Sequence, residues 1–288
     1  MTAVNFTRSM RLLSALCVLA SAACLANAQI SPSLAAASAP EKANPSASIG
    51  QVPSRPVLEP KAVEILKAAC ARLAAAKSMS FTAIVTYENP SRFGFPLAYG
   101  TTSDVLLQRP DKLRVITPGD GPASEFYYDG KRMTVFSPAE NLVAVADAPP
   151  TVDAMLETAF HSAAVYFPFD DVIVNDPYKD ISQDLRVAFY IGKSNLIGGT
   201  TTDVIAYDSG GVFIEAWIGA EDRLPRMLRA IYADDPLQLR HVLLFSNWKL
   251  DVPVPANSFS TSKVSSAKHI PFASPNSPPV VGKPATNP

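Results

Sequence analysis

Between residues 185 and 248, apolar and polar residues alternate through one short segment after another, separated by Gly, Asp and Pro turns. No helical period interrupts the run, so its backbone groups have to be satisfied by pairing strands. Strands are expected at 186–191, 201–207, 213–218, 226–233 and 238–249. The same two-residue period starts earlier. Phe81, Ala83, Val85 and Tyr87 alternate with Ser80, Thr82, Thr86 and Glu88, predicting a strand over 81–88. Further strands follow at 101–108, 112–117, 125–128, 132–136 and 141–146. Asp129-Gly130 joins two of them and predicts a tight hairpin with a type I′ turn.

Two segments read as helices. Residues 60–77 open on Pro60 and place Ala62, Leu66, Ala69, Cys70, Leu73 and Ala76 on one face. Residues 152–163 follow Pro149-Pro150, with Thr151 as cap and Val152, Met155, Leu156, Ala159 and Phe160 as the apolar face. The stretch 167–184 is rich in Pro and Asp, has no clear period, and reads as loop with a helical turn. Ten or eleven strands in one antiparallel sheet must curl or split, because strand twist accumulates. The expected fold is therefore mainly β (α+β): a large curved antiparallel sheet forming an incomplete barrel, covered by two α-helices. Alternation places Phe81, Val85, Leu113, Val115, Phe126, Tyr128, Met133 and Val135 on one side as the candidate cavity lining. Leu66, Leu73, Met155 and Phe160 are the matching residues of the helical lid. The pattern leaves open which sheet face is hollow.

The ends set the compartment. Arg8 and Arg11 precede an apolar stretch, Leu12 to Leu25, and Ala26-Asn27-Ala28 is a small-x-small cleavage site, the anatomy of an export signal over 1–28. The competing reading is lipidation of Cys24 after Ser21-Ala22-Ala23, although Ser21 fits poorly where such a box wants a Leu. Cleavage removes two basic residues, leaving 23 basic against 26 acidic and a formal charge of −3. That balance, without a basic block, argues against a nucleic-acid partner. Cys70 stays without a disulfide partner and falls on the apolar helix face, where it reads as a small buried hydrophobe. Twelve of the 26 prolines lie in 32–60 and 271–288. This divides the chain into a tether over 29–56, one domain over 57–272 and a tail over 273–288.

Chemistry-bearing motifs are scarce. There is no Gly-x-Ser-x-Gly, and His161, His241 and His269 lack metal-ligand spacing. Asp170, Asp171, Asp176 and Asp180 form a carboxylate-rich loop without the glycine turn and closing Glu of a calcium loop. Arg109, Arg114 and Arg226 suit either the rim of a binding trough, holding an acidic headgroup, or charge that guards edge strands.

Longer stretches carry a resemblance. They are Arg109-Pro110-Asp111-Lys112-Leu113-Arg114, Tyr128-Asp129-Gly130-Lys131, Ala148-Pro149-Pro150-Thr151-Val152-Asp153 and Pro168-Phe169-Asp170-Asp171. A C-terminal block adds Trp217-Ile218, Leu224-Pro225-Arg226, Tyr232, Trp248, Phe259, Ala267 and Ile270. Together they resemble an uncharacterised bacterial family of predicted periplasmic proteins, a domain of unknown function with a LolA-like fold. The resemblance implies an unclosed antiparallel barrel covered by helices, as in periplasmic lipoprotein carriers. Two places depart from it. Where the family shows a Cys and a His after Gly198-Gly199, this chain has Thr200-Thr201-Thr202, and Val264-Ser265-Ser266 replaces a proline-containing stretch.

The expectation is a periplasmic binding or carrier protein for an apolar ligand, whether a lipid, an acyl chain or the acyl group of a lipidated protein. It is not expected to be an enzyme or to use a cofactor or a metal, and no later segment is long and apolar enough to span a membrane. The alternative is an envelope protein-interaction or sensor module, in which the same fold has its cavity filled by side chains.

Overall fold

The computed structural model describes residues 57–119 and 121–274. The expected export signal, Cys24, the 29–56 tether and nearly all of the 273–288 tail lie outside the described residues. Among those residues, thirteen strands form one open sheet. With strands numbered along the chain, its spatial order starts at β1 (Val57–Leu58), β8 (Leu185–Ser194), β9 (Thr202–Ser209), β10 (Val212–Gly219) and β11 (Pro225–Tyr232). It continues through β12 (Arg240–Leu250), β2 (Ser78–Pro90), β3 (Pro96–Gln108) and β4 (Lys112–Thr117). It ends at β5 (Ser124–Tyr128), β6 (Arg132–Ser137), β7 (Leu142–Asp147) and β13 (Lys268–Ile270).

The expected architecture holds, with a correction at each end. The sheet is mixed rather than wholly antiparallel, because β1 pairs with β8 and β13 with β7 in parallel. Strands of two and three residues have no period to read, and their partners lie far away in sequence. β2 and β3 also run to Pro90 and from Pro96, well past the expected 81–88 and 101–108. Both prolines sit at the tip of the hairpin, where a missing N–H costs no ladder bond.

The hairpin at Asp129-Gly130 forms one residue later than expected. Asp129 N donates to Arg132 O at 3.2 Å, so Gly130 and Lys131 are the central pair. Gly130 has φ +92° and Lys131 has no positive φ, which suits a type II′ turn rather than I′. A side chain at Gly130 would also run into the Asp111 carboxylate.

Two helices cover different halves of one sheet face. α1 (Pro60–Ala75) lays Ala62, Ile65, Leu66, Ala69 and Cys70 on Ala188, Ile205, Tyr207, Ala216 and Ile218 of β8 to β10. Its small residues let it lie close to the strands. α2 (Val152–Ala163) is capped by the Thr151 hydroxyl, which accepts from Ala154 N at 3.3 Å, and ends at Ala164 in the left-handed region. Within 167–184 there are two short helices, α3 (Asp170–Ile173) and α4 (Pro177–Gln183), where a single turn was expected.

Candidate functional site

The register brings the eight expected lining residues to one side. One cross-strand row runs Phe81, Val105, Val115, Phe126, Val135. The next runs Met79, Leu107, Leu113, Tyr128, Met133. Val85 continues the same face along β2. All eight belong to or pack against a single apolar cluster. Met79 of β2 and Val105 and Leu107 of β3 are part of this wall and were missed, although the alternation of the two strands carried the signal.

The lid residues separate. Leu73 and Met155 join the wall cluster, while Leu66 packs with the β8–β10 half. Phe160 lines a small cleft at the end of α2. The wall is covered by Val152, Met155, Leu156 and Ala159 of α2 together with residues after it, Phe167, Phe169, Val172, Ile173 and Val174, all buried. Phe169 meets Phe81 edge-on at 5.7 Å and stacks on Phe167 at 5.8 Å, and Phe167 meets Phe126 at 5.1 Å. On the other side, Phe81 contacts Trp248 at 4.5 Å, whose indole N–H donates to Pro225 O at 2.9 Å. The covering segment after α2 went unread because its apolar residues follow no period and are ordered only by the sheet beneath.

The cleft beside Leu156, Phe160, Val165 and Phe167 has a volume of about 10 Å³, roughly enough for one water. A more open groove of about 560 Å³ lies elsewhere, where Ala75, Lys77 and Ser78 face Asp251, Val252 and Pro253. Its lining is mixed and includes none of the expected residues.

The three arginines are tied into the structure. The Arg109 guanidinium donates to Ala76 O at 3.2 Å, Ile173 O at 3.0 Å and Val174 O at 2.8 Å, fastening the end of α1 and the end of α3 to the β3–β4 turn. Burial lowers its pKa, against the pull of Asp153. Arg114 donates to Ser258 O at 3.1 Å, and Arg226 holds Asp222 at 2.5 Å. These bonds make them packing groups rather than free rim charges.

Groups with chemical potential are placed for structure. Burial, then Asp171 and Asp176, push the Cys70 thiol up to about 12, far from a thiolate. His161 is exposed at the end of α2, 3.9 Å from Glu157. His241 lies between the rings of Tyr87 at 6.5 Å and Tyr232 at 5.1 Å. Burial lowers its pKa, against Asp235 and Glu88. Among the described residues no group of three or more His, Cys, Asp or Glu is placed to hold a metal ion, and no helix is long and apolar enough to cross a membrane. Thr202 is fully buried and donates to Ser194 O at 2.9 Å.

Asp203 is a buried charge with three partners. It is 5% exposed and receives Lys193 at 3.0 Å, Arg223 at 2.9 Å and the Tyr190 hydroxyl at 3.2 Å. Burial raises its pKa, but the bonds from Lys193, Arg223 and Tyr190 outweigh this and hold it below the ordinary 3.8. A carboxyl depressed in the folded state stabilises above its unfolded pKa, and that contribution is lost as pH falls through the folded value. Denaturation midpoints should therefore drop as pH falls below the unfolded carboxylate value of about 3.9, and Asp203→Asn should flatten the slope. A variant with an unchanged slope would remove Asp203 from this account.

A family profile described as "Predicted periplasmic protein (DUF2092)" matches residues 62–273. No curated protein matches the sequence. Among solved structures, an uncharacterized conserved protein from Thermus thermophilus is 13% identical with a TM-score of 0.42, covering 73% of this chain and 99% of that one. MucB in the Pseudomonas aeruginosa MucA/MucB complex is similar at 13% identity and TM-score 0.40, covering 71% of this chain and 62% of the other. A LolA superfamily protein from Nitrosomonas europaea is 10% identical, with a TM-score of 0.36 and coverage of 68% and 97%.

Proposed function

We propose that this chain, which belongs to that family of predicted periplasmic proteins, is a non-catalytic interaction module of the cell envelope that binds a protein partner. The observation that carries the reading is the occupied wall. Phe167, Phe169, Val172, Ile173 and Val174 already cover the sheet face on which an apolar ligand would have to lie.

Magnitudes favour the filled state. Uncovering five such side chains costs roughly 10 kcal/mol, at about 2 kcal/mol each. An acyl chain returns about 0.8 kcal/mol per methylene, so a chain of about a dozen carbons only breaks even before losing its own freedom. The carrier reading keeps one observation in its favour: the cover after α2 is mostly irregular chain, and the face beneath it is mostly apolar. A ligand able to displace that cover would still find a fitting wall.

Titration with an environment-sensitive acyl fluorophore separates the two readings. The interaction reading predicts no saturable binding. One-to-one binding, with loss of protection from hydrogen exchange over 165–174, would establish the carrier reading instead.

A further inference from the structure

The sheet ends on very short strands, and among the described residues both β8 from Phe189 to Ser194, which carries Lys193, and β3 from Pro96 to Ser103, which carries no charge, lack a second neighbour. At the ends stand β1 with two residues and β13 with three, and such short strands offer little template for further pairing. β2 and β3 pair over their whole length, from Ser78 with Gln108 to Pro90 with Pro96. Their neighbours stop early. β4 accompanies β3 only over Asp104 to Gln108, and β12 accompanies β2 only as far as Tyr87. Only the tip, Glu88–Pro90 with Pro96–Ala98, thus stands as a two-stranded ribbon, while Tyr99–Ser103 borders sheet that β12 continues on the β2 side.

The two sides of the hairpin differ. Glu88, on the β2 side, is paired with Arg240, so charge stands there. Pro96 to Ser103, on the β3 side, contains no charged residue. Among the described residues this side meets no strand, and the Ser103–Thr117 hydroxyl contact at 2.9 Å marks where the neighbour ends. Long, uncharged, apolar edges are what soluble proteins avoid unless a strand is to be added. Exposed side chains point the same way: Phe95 is 75% exposed, and Leu97 and Tyr99 are each 48%. Tyr99 stacks on Tyr87 at 6.0 Å, so its ring is held in place on one face of the hairpin.

We propose that the open edge of β3 between Pro96 and Ser103 is a strand-addition site for an extended segment of a partner protein. The inference rests on the interaction reading above and gives it a location. The backbone of the edge would supply the hydrogen bonds, and alternate side chains of the incoming segment would lie beside Leu97 and Tyr99. Arg92 is the only charged residue from Asn89 to Ser103, so a segment with a carboxylate at its end near the hairpin tip fits best. A bilayer suits this edge less well, because hydrocarbon cannot satisfy unpaired backbone groups.

The test uses ten-residue peptides alternating Val or Tyr with Thr, one Glu at one end, against the same peptides with a central proline. Alternating peptides should slow exchange of the amides over 97–102 at least about tenfold, and central proline should weaken binding by at least about tenfold. Leu97→Lys with Tyr99→Lys should abolish the effect, while Leu196→Lys, at a site 78% exposed elsewhere, should leave it intact. Several outcomes overturn the site: no protection by any peptide, protection by anionic phospholipid vesicles instead, or a dimer whose formation protects the same amides. Peptide binding that protects another surface removes this edge and keeps the interaction reading. Lipid protection of the wall removes the interaction reading itself.

Discussion

Replacing Phe169 with Ala should lower stability by about 3–5 kcal/mol, the largest effect expected of any single side chain outside the sheet. Its ring is 1% exposed, edge-on to Phe81 and stacked on Phe167. Truncation removes both aromatic contacts and leaves a cavity in the seam between sheet and cover. For a domain of this size the thermal midpoint should fall by about 10 °C. The variant should also gain a property the parent lacks. An apolar hole of this kind stays dry and admits small apolar solutes, so benzene or xenon should stabilise the variant and not the parent. A loss below about 1 kcal/mol would mean that the segment after α2 is not the sheet's true cover.

Arg109→Met should cost about 3 kcal/mol, because a part-buried guanidinium holds three backbone carbonyls and its loss leaves them without a donor. Ala76, Ile173 and Val174 are the acceptors, so the damage falls on the joint between α1, α3 and the β3–β4 turn. Arg109→Lys should recover little, since an ammonium cannot reproduce the planar fork that reaches carbonyls on two elements. Denaturant titration measures both changes. Exchange over 170–174 should rise more in the Met variant than exchange in β9. A Lys variant as stable as the parent would reduce the site to a simple positive charge.

The chain displayed its fold wherever the period was clean. Phe81, Val115, Phe126 and Met133 share a face because alternation fixes which side each residue takes, and pairing then aligns them into rows. The helix expected over 60–77 and found at Pro60–Ala75 was legible from its small apolar stripe, but its position over β8 to β10 was not, since a stripe does not say which strands it meets. Hence Leu66 and Leu73 lie in different clusters although they stand on one helix face. Arg109 misled because charge suggests a rim, whereas its bonds run inward to carbonyls that no sequence pattern announces. Phe167, Phe169 and Ile173 were hidden for the opposite reason: they are apolar without a period. They cover the sheet because of where α2 ends, at Ala164 with φ 53°, which turns the chain back across the wall.

Whether the wall is occupied by the chain's own residues is tested most directly by native mass spectrometry of protein recovered from the periplasm without detergent. The predicted spectrum shows the mass of the polypeptide alone. A stoichiometric mass increment, released as lipid on organic extraction, would contradict it.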